Sequence, residues 1–204
     1  MHLLLTDRLQ CPRCGPGFGL ILLADTLVER RVIAGALGCP NCRDRFPVRD
    51  GFADLRPPPR GALPDDAPPA APAPDATDRL AALLGVAEGS GHVALLGPLA
   101  AHADGLADRV PGIEVVAVAA EARALAERDG VSRLWAAGEL PFTPWTFRAV
   151  ALSGEVERPA ELVALVGRGG RIVVASPDAA AAAGLEAARA RLLVHQPGWI
   201  VAQV

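Results

Sequence analysis

Apolar residues along this chain fall into short runs bounded by turn residues, and in the second half those runs alternate with stretches at helical spacing. Near the start, Gly19-Leu20-Ile21-Leu22-Leu23 and Leu27-Val28-Glu29-Arg30-Arg31-Val32-Ile33 read as two strands, with Asp25-Thr26 as the turn between them. Arg45-Phe46-Pro47-Val48 is a short strand, and Asp50-Gly51 is a turn signal. Further on, His92-Val93-Ala94-Leu95-Leu96 reads as a buried strand, after which Leu99, Ala103, Leu106 and Val110 recur at helical spacing. The pattern repeats: a strand at 114–118, a helix at 121–128, strands at 132–136 and 148–152, a helix at 160–166, a strand at 171–175 and an Ala-rich helix at 179–190. A closing hairpin of 191–194 and 199–202 turns at Gln196-Pro197-Gly198. Strands separated by helices predict an α/β fold with a doubly wound, mostly parallel, Rossmann-like sheet, preceded by a small β-rich unit.

Between the two patterns lies a stretch of another kind. Pro57-Pro58-Pro59 opens it, and Pro64, Pro68, Pro69, Pro72 and Pro74 follow. Proline lacks the amide hydrogen that a helix or ladder needs, so a semi-rigid extended spacer is expected. The predicted organisation is a ribbon at 1–56, a linker at 57–76 and a larger domain at 77–204, with the two halves separable through the linker.

Composition changes the picture only modestly. Of 204 residues, 51% are hydrophobic, enough for a sizeable core. The net charge is −3, and every basic residue is Arg. Residues 1–60 hold nine Arg against six acids, and residues 61–204 hold eleven Arg against seventeen acids. Neither half is a strongly basic nucleic-acid-binding surface. Arg30, Arg31, Arg43, Arg45 and Arg49 of the ribbon are the candidates for weak RNA contact, against a solvated basic face as the simpler reading.

The four cysteines carry the clearest chemistry. They form two C-P-x-C pairs, Cys11-Pro12-Arg13-Cys14 and Cys39-Pro40-Asn41-Cys42, with 24 residues between them. Two intervening residues let a tight knuckle aim both thiolates at one point, and four soft ligands at tetrahedral corners suit one zinc ion. Such a site is closed, so zinc here is structural; in a unit this small, metal binding supplies much of the folding free energy. Two disulfides or a redox pair are the alternatives. Met1-His2-Leu3-Leu4-Leu5-Thr6-Asp7-Arg8 has no basic n-region and too short an apolar run for a signal peptide, and no run is long enough to span a bilayer, so a soluble cytoplasmic protein without membrane contact is expected.

The ribbon, together with Phe46-Pro47-Val48-Arg49-Asp50-Gly51-Phe52-Ala53-Asp54-Leu55-Arg56-Pro57, resembles the small zinc-ribbon activator subunit of tRNA, rRNA and release-factor methyltransferases over about the first 57 residues. The resemblance implies docking of a protein partner, a methyltransferase or a translation-related assembly, through an exposed strand edge and apolar residues such as Leu20, Leu22 and Phe52. From about residue 90 the chain resembles a class I S-adenosylmethionine-dependent methyltransferase domain. The phrases that carry it are Leu140-Pro141-Phe142-Thr143-Pro144-Trp145-Thr146-Phe147-Arg148-Ala149-Val150 and Val166-Gly167-Arg168-Gly169-Gly170-Arg171.

The departures from that second family bear on function. The family's first strand ends in an acid followed by G-x-G-x-G; this chain has Leu95-Leu96-Gly97-Pro98-Leu99-Ala100-Ala101. Ala119 stands where the ribose-binding acid belongs, with Glu121 two residues on. Glu139, just before Leu140, is a remnant of the adenine-side acid, and the family's F-D pair is Phe147-Arg148. S-adenosylmethionine is therefore not an expected ligand. Ser153-Gly154-Glu155, His92, His102 and His195 offer no nucleophile with a visible base. The expectation is a non-catalytic zinc-binding protein that docks a protein partner; the alternative is an active methyltransferase acting on RNA or protein.

Overall fold

The computed structural model describes residues 1–63 and 70–204. The ribbon comprises a one-turn helix α1 (Leu3–Thr6), β1 (Gln10–Cys11), β2 (Gly15–Gly19), β3 (Ile21–Val28), β4 (Arg31–Gly38), β5 (Arg45–Arg49) and β6 (Phe52–Asp54). The larger half comprises α2 (Pro74–Leu84), β7 (Gly91–Leu96), α3 (Ala103–Arg109), β8 (Ile113–Val118), β9 (Val131–Trp135), β10 (Phe147–Ser153), α4 (Pro159–Leu165), β11 (Val166–Ala175), α5 (Ala181–Ala187), β12 (Arg191–Gln196) and β13 (Trp199–Gln203). Its five parallel strands and closing antiparallel hairpin form the expected doubly wound sheet, in the order β12-β13-β11-β10-β7-β8-β9.

That sheet does not stop at β9. Strand β6 of the ribbon pairs with it in parallel, setting Phe52 opposite Arg133, Ala53 opposite Leu134 and Asp54 opposite Trp135. Strands β5, β4 and β3 follow, so one eleven-stranded sheet crosses the boundary expected at 56. The picture of two halves joined only by a linker is corrected here: β9 is an edge without the ribbon, and β6 covers it. A second seam runs over one face of the sheet. Gln10 N–H donates to the Pro141 carbonyl at 2.8 Å, and Thr143 N–H donates to the Arg8 carbonyl at 2.8 Å. One apolar core runs through both halves, from Met1, Leu5, Leu9, Leu37 and Phe46 to Phe142, Phe147 and Val150. The other face carries a separate core against α2 and α3.

Charge completes the seam. Arg31 on β4 and Arg133 on β9 are buried, and both bind the Glu127 carboxylate, at 2.5 and 2.9 Å. Arg31 also reaches Glu114 at 3.3 Å, and Arg133 donates to the Asp50 carbonyl of the ribbon. Burial works against ionising Glu127, but the Arg31 hydrogen bond, the Met1 amino group and Arg133 together hold its pKa below the ordinary value. The Asp50-Gly51 turn fits this arrangement: Gly51 has φ +73°, and a Cβ there would overlap the Glu127 carboxylate. Arg31 is thus part of the buried seam and not of an outward basic face.

Several elements differ from expectation. The first hairpin turns at Glu29-Arg30, both at positive φ, and Asp25-Thr26 lies inside β3 at a register irregularity. There the strand crosses Gly35, where a Cβ would overlap the Leu23 carbonyl, so β3 bends without ending. The helix expected at 121–128 is one 3-10 turn, Glu121–Ala124; the chain then extends and delivers Glu127 to its two arginines. The Ala-rich helix is confined to α5 and is followed by Arg189 at positive φ. The linker expectation to residue 76 is overtaken by α2, which starts at Pro74, because proline suits a first helical turn. Pro64, Pro68 and Pro69 lie outside the described residues.

Candidate functional site

The cysteine cluster is built by two knuckles on different strand pairs. The first spans the β1–β2 turn, where Cys11 faces Gly15. The second closes between β4 and β5, with Cys39 N–H bonded to the Asp44 carbonyl at 3.0 Å and Arg43 N–H to the Cys39 carbonyl at 3.1 Å. All four sulfurs lie within 4.8 Å of one another. Cys11 and Cys42 are 3.7 Å apart and Cys39 and Cys14 3.8 Å, at sulfur–sulfur distances and not in disulfides. Ligands about 2.3 Å from one tetrahedral ion sit about 3.8 Å from each other, so the four sulfurs could hold one metal ion. Burial opposes ionisation of Cys39, but the Cys42 and Asn41 backbone amides hold its pKa below the ordinary value; burial and the neighbouring thiols raise that of Cys42. Four crowded thiols ionise together only around a cation. Asn41, which the spacing alone did not single out, donates its side-chain amide to the Cys14 sulfur at 3.4 Å.

The second place where chemistry was expected is the carboxyl end of β7, where the strand order reverses between β8 and β10 and doubly wound folds bind ligands. The stretch expected to cradle a cofactor forms a 3-10 helix, Gly97–His102. Leu99 and Ala100 on it are buried in the same core as Leu95, Ala119, Ala149 and Ala151. Glu121 is exposed.

Beside this corner, on the other face, is a cleft of about 510 Å³. Leu96, Leu140, Phe142, Leu152 and Leu162 line it, and Gln10 and Pro16 reach it from the ribbon. Glu139, Glu155, Glu157 and Glu161 stand around it with Arg158, which pairs with Glu139 at 3.2 Å and Glu161 at 3.4 Å. Glu139 and Glu155, far apart as motifs, therefore share one cleft. The two ribbon residues carry no sequence signal for it, because only the docking of β1 and β2 brings them there.

The three candidate histidines, His92, His102 and His195, do not converge. The Nδ1 of His102 lies 2.9 Å from the Thr77 hydroxyl, tying α2 to the following helix. His92 is half-buried at the opposite end of β7, its pKa lowered to about 4 by burial and by the nearby His2 and Arg8. His195 is exposed on the terminal hairpin. Ser153 and Gly154 carry β10 on alongside β11, with Gly154 N–H on the Ala175 carbonyl at 2.8 Å. Leu20 and Phe52, expected to face a partner, are buried, and Leu22 is half-buried against β4; the exposed large apolar residues of the ribbon are Leu4, Phe18 on β2, and Ile21, Leu23, Leu27 and Val28 on β3. No helix among the described residues is long and apolar enough to cross a membrane.

No family model matches the chain, and no curated protein does. The solved structures similar to this chain include methyltransferases and a [4+2]-cyclase. A precorrin-6y methyltransferase from Geobacter metallireducens is 12% identical with a TM-score of 0.46, over 64% of this chain and 87% of that one. A geranyl diphosphate methyltransferase bound to GPP and sinefungin is 16% identical with a TM-score of 0.48, over 59% and 61% of the two chains. A putative methyltransferase from Bacillus halodurans is 17% identical with a TM-score of 0.46, over 59% and 71%.

Proposed function

We propose that this chain is a non-catalytic binding protein in which a zinc ribbon is docked on the chain's own methyltransferase-like sheet. Cys11, Cys14, Cys39 and Cys42 hold one structural zinc, which fixes the two knuckles and through them β4, β5 and β6. The resemblance of the ribbon to an activator subunit calls for a methyltransferase-like partner, and the parallel pairing of β6 with β9 supplies one within the same chain. A separate protein partner would meet the remaining free edge, β3. The observation that carries the non-catalytic reading is the burial of Leu99 in the apolar core at the position where a cofactor-binding turn needs bare backbone.

Calorimetric titration of the full-length, metal-loaded protein with S-adenosylmethionine tests this reading. Affinity weaker than about 1 mM is expected, less than about 4 kcal/mol of binding free energy. Micromolar affinity would favour the second reading, a methyltransferase active on RNA or protein. The cleft beside Leu96 supports that alternative, since it opens at the carboxyl ends of β7 and β10 and has Glu139 and Glu155 at its rim.

A further inference from the structure

The amino end of the sheet, opposite the cleft, carries a second cavity of about 490 Å³. Its charged wall is assembled from distant stretches: Arg8 after α1, His92 on β7, Arg148 on β10, and Arg168 and Arg171 on β11. No Asp or Glu among the described residues lines it. Among the described residues none of these four arginines forms an ion pair. Arg148 donates to the Glu88 carbonyl at 2.8 Å and Arg171 to the Leu83 carbonyl at 3.1 Å, which fixes their guanidinium groups without neutralising them. Arg8 and Arg168 are exposed.

Backbone irregularity makes the space. Strand β10 slips register between Phe147 and Ala149 against both neighbours, and on β11 the corresponding partners are Val166 and Arg171. The intervening Gly167-Arg168-Gly169-Gly170 forms a wall whose only side chain is that of Arg168. The ribbon contributes Arg8, held beside the 143–146 turn by the Thr143 bond to its carbonyl. Trp145, which also lines the cavity, is 73% exposed. Its backbone sits at φ +58° and its N–H is bonded to the Ala164 carbonyl at 2.9 Å, so the indole stays out of the core on a fixed turn. His92 is neutral near pH 7, its pKa being about 4, and offers the cavity a hydrogen-bonding ring without adding charge.

Guanidinium groups with no Asp or Glu beside them call for an anion, and Arg favours phosphate because its planar fork binds two oxygens at once. An exposed indole beside them calls for a flat ring to stack on. We propose that this cavity binds a nucleoside phosphate, with the phosphate among Arg8, Arg148 and Arg168 and the base on Trp145. A free nucleotide and a single-stranded nucleic acid both present that chemistry. The site is separate from the cleft and from the cofactor corner, so it stands whether or not the chain binds S-adenosylmethionine.

The test is fluorescence anisotropy of a labelled short oligouridylate with the full-length, metal-loaded protein, competed by the unlabelled strand, uridine monophosphate, ATP, inorganic phosphate and polyglutamate. Arg168→Glu and Arg8→Glu should each weaken binding about tenfold at about 50 mM salt and flatten the slope of log affinity against log salt by about 0.7 per lost contact. Trp145→Ala should weaken it several-fold and leave that slope unchanged. Circular dichroism confirms that each variant is folded; all three changed residues are exposed. Competition by the mononucleotides identifies a free nucleotide as the ligand, and competition by unlabelled strand alone identifies a nucleic acid. Binding of neither, unchanged affinity in a folded Arg168→Glu protein, or equal competition by phosphate or polyglutamate would overturn the proposal.

Discussion

The cysteine cluster and the cofactor corner are both places where the sequence shows a family pattern, and the structure treats them oppositely. At the cluster every ligand is present, and two knuckles from different strand pairs bring four sulfurs to metal-binding distance. At the corner the doubly wound sheet is present, and Leu99, Ala100 and Ala119 pack as core where the proposed reading loses the cofactor. A sheet needs only apolar periodicity, which Leu and Ala satisfy as well as Gly and Asp; a ligand site needs particular atoms at particular points. On the proposed reading, resemblance in the second half reports architecture, whereas in the first half it also reports chemistry.

The strongest way to break this contrast is to remove the metal ligands. Cys39→Ser, or a strong chelator, should unfold the ribbon, because structural zinc contributes on the order of 10 kcal/mol in units of this kind. Elemental analysis should find about one zinc per chain in the wild type and almost none in the variant. A ribbon that keeps its amide hydrogen-exchange protection without metal would remove zinc from the account.

The buried seam comes next. Glu127→Ala leaves Arg31 and Arg133 without their shared carboxylate and should cost about 3–5 kcal/mol in denaturant unfolding. The pH dependence follows from the sign of the shift. Glu127 has its pKa lowered in the folded state, so its contribution is fully present above its ordinary value of 4.5 and is lost as pH falls through the folded value. The stability gap between wild type and Glu127→Gln should therefore be constant at neutral pH and shrink in acid.

A smaller effect sharpens the reading of the corner. Leu99→Ala should destabilise by about 2–3 kcal/mol, the usual cost of a core truncation, and should not create micromolar affinity for S-adenosylmethionine. A gain of that size would mean that Leu99 alone blocks an otherwise competent site. The smallest effect is expected from cutting the chain. A protease site placed between residues 61 and 73 should allow complete cleavage with little change in melting temperature, and both pieces should elute together, because β6, α1 and Arg31 hold them.

Much of the larger half was legible in the sequence. Buried strands such as 92–96 and 171–175 are continuous apolar runs, and the terminal hairpin is marked by Pro197-Gly198. The cysteine spacing likewise announced its cluster. The first hairpin was misjudged because Asp25-Thr26 has better turn chemistry than Glu29-Arg30, and the bend at Gly35 depends on the partner strand. The use of β6 to cover β9 could not be read from either segment, since pairing between residues about 80 apart leaves no local periodicity. Glu127 looked like one more acid on a solvated helix until two arginines from separate strands converged on it. Arg8, Arg148 and Arg168 are invisible as a group for the same reason.

The central claim is that the ribbon is the structural complement of the chain's own sheet. Hydrogen exchange of the full-length protein with and without its metal tests it most directly. Removal of zinc should strip protection from β4, β5 and β6 and also from β9, residues Val131–Trp135, while β10 and β11 stay protected. Loss of protection confined to residues 1–56, with β9 unchanged, would contradict the account.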